Sequence, residues 1–540
     1  MGKKSSRLLF SMLFAALAIA ARLPFLLSHK IAFDSDEAVE GLMARHVLRG
    51  ELPAFFWGQA FKGVPEVYAA AGAFAIFGPS VTVVKSVTLA LFAAYVALNY
   101  VLLDSIAGRW LAAAASLLLI LAPPALVFWS LDASAEYILL MLLGTILLLL
   151  CLRVNAATLV ASGMVIGLGL WIQQIFAFYL IPVAIIVLFA QQRPQGLLFD
   201  RFSFKTGARP VVALTLALAG IAAVYLALGA IAFVTGGFSI HAGPVTLGAH
   251  APQKMFRGGA VIAALALTSH VWNVAPRGAV RRFGGRHWPL AAGFLIGYAP
   301  AIVYSILVAP ARSPARNANL RQLLNASPDI FGNVVPIVSG FKIATTQRLP
   351  IPWIAVVPGA LALTAYTWSN RHRLAGFARL RPTTSTIPDD FFPLFFVLVP
   401  ALFLASGAYL DTQSYRYLIP WYAGLCVAWA AGCAWLARGR QAVASLLVGI
   451  VLAVHAWQQL TWYRSLTPDV QSTATIDCLR REGIRGGYAD YWTSYKLTFL
   501  SNEEIIVAPA DGVDRYPAYT AFVRSLPADA RTGDLRQCLK

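Results

Sequence analysis

The stretch SAEYILLMLLGTILLLLCL, residues 134–152, decides what kind of molecule this is. From Tyr137 to Leu152 it carries no charge. As a helix rising about 1.5 Å per residue it covers most of the roughly 30 Å hydrocarbon core of a bilayer. Comparable apolar runs fall at 8–27, 82–103, 110–128, 157–171, 175–190, 210–234, 258–276, 288–308, 351–368, 391–409, 416–436 and 442–461. Composition agrees, with 59% of the 540 residues hydrophobic and 12% charged, against roughly 25% charged in soluble proteins. Three or four soluble domains of about 150 residues would be the expectation from length alone. So few charges cannot coat a water-soluble surface. The expected fold class is mainly α: a polytopic transmembrane helical body of about thirteen spans.

The net charge of +19 does not point to nucleic acid, because the basic residues sit in short clusters between spans. Lys3, Lys4 and Arg7 precede the first run. Arg193/Arg201/Lys205/Arg209, Arg277/Arg281/Arg282/Arg286, Arg371/Arg373/Arg379/Arg381 and Arg438/Arg440 follow later ones. With thirteen spans every cluster shares the side of the N-terminus, which the positive-inside rule assigns to the cytoplasm. The loops 28–81 and 309–350 and the tail from about 463 are then outside. The first run is too long, and lacks the small-residue cleavage site, for a removable signal peptide.

The expected division is a membrane module over 1–462 and an outer soluble domain over 463–540. That tail is polar and alternates a helix at Thr473–Glu482, a strand at Gly487–Tyr491, a helix at Tyr495–Leu500, a strand at Ile505–Ala508 and a helix at Tyr516–Leu526, which reads as a small α/β domain. Five cysteines exclude a disulfide scaffold and show no metal-ligand spacing. Cys426 and Cys433 read as helix-packing residues. Cys478 and Cys538 can pair if the tail faces an oxidising compartment.

No glycine-rich phosphate loop is present, so soluble-nucleotide chemistry has no cradle. The ionisable residues that remain crowd the outer side. Asp34, Asp36 and Glu37 follow the first span and open a helix, Glu37 to Gly50, expected to lie in the membrane interface. Asp34 and Glu37 have capping-box spacing, so helix capping is the competing reading. Asp34 and Asp36 also spell D-x-D, which can hold a divalent cation such as magnesium or manganese. Gln59, Lys62 and Glu66 fall in the run from Trp57 to Glu66, ahead of an apolar stretch too short to span. Asp132 and Glu136 are four apart, on one helical face at the outer entry of the 134–152 span, where a carboxylate suggests a polar cavity rather than lipid. Arg416 and Tyr417 lead into the 416–436 span. The arginine fork suits a phosphate and an aromatic belt equally. Lys342 is a further outer cation, and Gln173 at a span end is a candidate cavity residue.

Asp36-Glu37-Ala38, the Phe56-Trp57-Gly58-Gln59 to Gly63 stretch with Glu66, and Arg416-Tyr417-Leu418-Ile419-Pro420 together resemble the GT-C class of integral-membrane glycosyltransferases. The match is to bacterial relatives of the protein O-mannosyltransferase and lipid A aminoarabinose transferase group. The resemblance implies a GT-C-type fold in the bacterial cytoplasmic membrane. It implies transfer of a sugar from a polyprenyl-phosphate carrier to a lipid, glycan or protein acceptor at the outer face. It makes Asp36 the catalytic carboxylate, with Glu37 beside it, and Asp132 a second functional acid. Asp34 departs from the pattern and leaves the identity of the base open between Asp34 and Asp36. Arg416, Tyr417 and Lys62 are the expected donor-phosphate group, and Asp34, Gln59, Glu66, Glu136 and Gln173 the expected cavity. A lipid-linked sugar flippase or transporter, a polysaccharide polymerase or ligase, and a non-catalytic assembly subunit stand as rivals. Transport fits less well, because the acids are not at mid-membrane and no repeat is evident.

Overall fold

In this computed structural model the described residues are 3–134, 136–189, 209–242, 245–249, 252–274, 277–308, 319–343, 353–379, 386–407, 409–532 and 538. Arg193, Arg201, Lys205 and Arg381 of the basic clusters, and parts of the 309–350 loop, lie outside them.

The chain begins with α1 (Lys3–Leu27), α2 (Ser35–Leu48), the antiparallel pair β1 (Phe55–Phe56) and β2 (Gln59–Gly63), and α3 (Pro65–Phe77). The body continues as α4 (Val81–Ile106), α5 (Arg109–Ile120), α6 (Pro124–Trp129), α7 (Tyr137–Cys151), α8 (Ala156–Ile172), α9 (Ala177–Phe189) and α10 (Arg209–Thr235). A hairpin, β3 (Phe238–Ala242) and β4 (Val245–Ala249), precedes α11 (Pro252–Val274), α12 (Arg277–Leu307), α13 (Leu320–Asp329) and α14 (Val335–Val338). Then come α15 (Trp353–Ser369), α16 (Arg371–Ala378), α17 (Ile387–Ser406), a 3-10 helix (Thr412–Trp421), α18 (Tyr422–Leu436) and α19 (Gln441–Ser465). The tail holds α20 (Val470–Arg481), β5 (Gly486–Ala489), α21 (Tyr491–Leu500), β6 (Ile506–Pro509), α22 (Pro517–Ser525) and β7 (Arg531–Thr532).

Among the described residues each of the thirteen apolar runs overlaps helix. Among the described residues, seven helices are by themselves long and apolar enough to cross a membrane. The protein is an integral-membrane helical bundle. The 110–128 run differs from expectation: it is split into α5 and α6. Pro123 and Pro124 cause the break, since proline supplies no N–H and collides with the preceding turn. A broken helix inside the body leaves carbonyls without partners. The fully buried Arg22 of α1 takes them, donating to Ile120 O at 2.6 Å and Leu119 O at 3.5 Å, and to Ser130 Oγ at 2.8 Å.

Helices α8 and α12 pack backbone to backbone. Gly163 and Gly167 on one face Gly293 and Gly297 on the other, and a Cβ at any of the four would strike the opposite main chain. Lipid tails are as apolar as leucine, so small residues that admit close approach drive such pairs.

The tail forms a three-stranded parallel sheet, order β6-β5-β7, with Cys478 and Cys538 disulfide-bonded across 60 residues of sequence. It packs directly on α2. Phe499 of α21 lies so close to Gly41 that no larger residue fits there. Trp57 stacks on Tyr516 with ring centroids 4.0 Å apart. Arg45 donates to Asn502 Oδ1 at 2.6 Å, and His46 bonds Glu51 at 2.7 Å and Glu503 at 3.2 Å. Residues 37–46 of α2 are all buried. α3 covers one side and the tail covers the polar side.

Candidate active site

Asp34 and Asp36 stand at the start of α2. Asp34 is its N-cap, with Oδ1 accepting from Glu37 N at 3.0 Å, and Asp36 lies in the first turn. Both are half-buried, whereas Glu37 is fully buried. The acids therefore diverge in environment within three residues. Burial, followed by the charges of Asp132 and Asp36, raises Asp34 from 3.8 to about 7.

Glu37 does not stand beside Asp36 as a second surface acid. Its Oε2 accepts from Lys85 Nζ of α4 at 2.6 Å, and its Oε1 from Ala133 N at 3.2 Å. Lys85 also donates to Ala32 O at 3.0 Å. This buried pair ties α2, α4 and the 131–134 segment together. Burial still pushes Glu37 well above the usual carboxylate range, despite Lys85.

Asp132 is buried, and its Oδ1 accepts from Ser134 N at 2.9 Å and Ser134 Oγ at 2.6 Å. Desolvation raises it too. The expected shared helical face with Glu136 does not exist. α7 begins at Tyr137, and Glu136 adopts a left-handed backbone with φ 58°.

Lys62 is buried, donates to Ser134 O, and lies 3.9 Å from the centre of the Phe56 ring. Its charge acts on the buried Glu40, Glu66 and Glu136. Glu66 accepts from Thr88 at 3.3 Å, while both oxygens of Glu40 and of Glu136 lack a partner among the described residues. Burial raises Glu40 and Glu66 well above the ordinary carboxylate range. Gln173 ends α8 beside Trp171, whose indole donates to Ala54 O at 3.0 Å.

Arg416 is half-buried in the 3-10 helix, 5.3 Å from the Tyr417 ring, and Tyr417 meets Tyr137 edge-on at 6.4 Å. Asp329 anchors the head of this segment through Thr412 at 3.0 Å and Tyr409 at 2.8 Å. Lys342 donates to Asn333 near that anchor. The Asp36 charge acts on both Arg416 and Asp132.

Sequence reasoning missed the other partners of Asp36. Tyr491 of α21 donates its hydroxyl to Asp36 Oδ1, and Arg515 Nη2 lies 3.5 Å from the same oxygen. Arg515 Nε donates to Tyr491 Oη at 3.1 Å, and the Gln59 amide oxygen accepts from Nη1 and Nη2 at 2.7 and 2.8 Å. Lys85, Tyr491 and Arg515 carried no local motif to mark them.

The D-x-D pair does not by itself make a cation site. Asp34 caps a helix and Asp36 is engaged by Tyr491 and Arg515. Among the described residues no three His, Cys, Asp or Glu side chains converge as metal ligands.

No family model and no curated protein matches the sequence. Solved structures do match. The oligosaccharyltransferase of Archaeoglobus fulgidus, crystallised with Zn and sulfate, aligns with TM-score 0.50 and 13% identity, over 92% of this chain and 62% of that one. Its apo form aligns with TM-score 0.50 and 14% identity, over 94% and 64%. The chain thus spans less than two thirds of that enzyme. ArnT from Cupriavidus metallidurans, bound to undecaprenyl phosphate, aligns with TM-score 0.44 and 10% identity over 97% and 89%. The fold is therefore similar to that of the archaeal oligosaccharyltransferase.

Proposed function

We propose that the protein is a membrane glycosyltransferase that moves a sugar from a polyprenyl-phosphate donor to an acceptor hydroxyl at the outer face, with the N-terminus in the cytoplasm. The observation that carries this reading is the half-buried Asp36, met by Tyr491 and Arg515 where the tail docks on the bundle. The similarity of fold to the archaeal oligosaccharyltransferase supports it, as does the absence of a nucleotide-binding motif from the sequence.

The chemistry runs as follows. The acceptor oxygen attacks the sugar C1, and the bond from C1 to the phosphate oxygen breaks. The hydroxyl proton passes to Asp36 as general base. The electron pair of the broken bond stays on the polyprenyl phosphate. Arg416 offers its planar fork of donors to that charge. A single displacement inverts the stereochemistry at C1. Asp34 is committed to capping α2 through Oδ1, whereas Asp36 meets Tyr491 and Arg515 through one oxygen, so the base is assigned to Asp36. Glu37 and Asp132 support it from behind. No step is routed through a cation.

Purified protein incubated with a panel of polyprenyl-phosphate sugars, with and without chelator, tests this. Consumption of one donor, abolished in Asp36→Asn, is expected. If no donor is consumed, the reading fails.

A further inference from the structure

The tail does more than dock. We propose that Tyr491 and Arg515 are positioning residues for Asp36, so that the outer C-terminal unit completes the transfer site; this rests on Asp36 being the base. Both donors reach Asp36 from 455 or more residues away in sequence, and both meet the same oxygen, Oδ1. Among the described residues no donor occupies Oδ2. A carboxylate held by one oxygen presents the other in a fixed direction, as a base receiving a hydroxyl proton requires.

The two donors are themselves held. Arg515 is gripped by the Gln59 amide oxygen and by Tyr491, and its own backbone N donates to Tyr495 Oη at 2.6 Å. Its side chain is only 12% exposed, against 27% for Asp36. The planar guanidinium reaches Gln59, Tyr491 and Asp36 together, which a lysine ammonium could not match in geometry. Gln59 lies on β2 of the membrane module, so the grip bridges the two parts of the chain. Tyr491 is buried, and its backbone N is fixed by Asp511 Oδ2 at 3.1 Å. A tail that merely rode on the surface would have no reason to send a buried tyrosine and a largely enclosed arginine to a half-open acid of the first loop.

The test uses the full chain, reconstituted with a donor that it consumes, and compares Tyr491→Phe, Arg515→Gln, Arg515→Lys and Asp36→Asn. Loss of one hydrogen bond in Tyr491→Phe lowers kcat roughly tenfold, with donor KM unchanged. Arg515→Gln misplaces the base and costs about a hundredfold, with Arg515→Lys in between. The acid limb of the rate profile moves to higher pH in Tyr491→Phe and Arg515→Gln, because a carboxylate stripped of a donor or a cation holds its proton more tightly. Mere docking would not move that limb. Should Arg515→Gln fail to fold, Tyr491→Phe decides alone. Parent-like kcat and pH profile in Tyr491→Phe, with Asp36→Asn inactive, overturns the positioning role but leaves Asp36 as base. Full turnover in Asp36→Asn overturns both.

Discussion

Two groups of carboxylates occupy one end of this bundle, and they differ in almost every respect. Asp34 and Asp36 are half-open, and each has an oxygen met by a donor. Glu40, Glu66 and Glu136 are sealed in, with the Lys62 charge acting on them, and most of their oxygens lack partners among the described residues. A buried carboxyl sheds its charge rather than remain unsolvated, so the enclosed group approaches neutrality with its lysine. Proximity to a candidate site is therefore a poor guide to chemistry. What separates the groups is water on one side and a fixed donor on the other.

The largest expected effect would break that comparison. Asp36→Asn should lower turnover by about 10²–10⁴-fold, the range of general acid–base catalysis, with thermal unfolding unchanged; Glu66→Gln should leave both within a narrow margin. Equal losses in the two variants would mean the enclosed acids do chemistry as well. Next in size is the Glu37–Lys85 tie. Lys85→Met strands a buried acid and should cost about 3–5 kcal/mol, seen as a lower unfolding midpoint in detergent. Pairing it with Glu37→Leu should recover much of that loss.

Gly41→Ala sharpens the role of the tail. Forcing a methyl group against Phe499 should cost about 1–3 kcal/mol and open the α2–α21 contact to limited proteolysis before the bundle unfolds.

Smallest is the pH dependence of docking. Glu503, held by His46, Arg49 and Tyr519 against the effect of burial, drops to about 2. A depressed acid contributes stability above its unfolded value and loses it as pH falls through the folded one. His46 is raised by Glu503 and Glu51 against desolvation. Its contribution is full below about 6.5 and fades as pH rises through its folded value. Docking should be firmest between about pH 4.5 and 6.5, and proteolysis across that range reads it. Asp34 acts in the opposite sense to Glu503. Raised to about 7, it favours the fold at low pH and withdraws that support as pH climbs through neutrality. Asp34→Asn should remove that part of the slope.

The helical runs were legible because a bilayer demands about 20 apolar residues per crossing wherever a span lies. Asp34 announced itself as a cap through its spacing to Glu37, and that local bond is present. The Pro123–Pro124 break was in plain view too, as were the glycines at 163, 167, 293 and 297, although the pattern of runs passed over both. Lys85 was harder to see. Within a long apolar helix it looks like an anomaly until Glu37 is brought to 2.6 Å. The burial of Lys62 among acids was likewise invisible in its local sequence.

Residue order by itself settled that the chain lies in a membrane and where its helices run, because hydrophobic burial in lipid depends on local composition. It also narrowed the reactive groups to acids near the start and an arginine near the end. Which acid stays open, which is sealed with a lysine, and that Tyr491 and Arg515 reach back to Asp36 were decided only by packing. Those outcomes depend on desolvation and on contacts between segments more than 450 residues apart, and no local pattern encodes either.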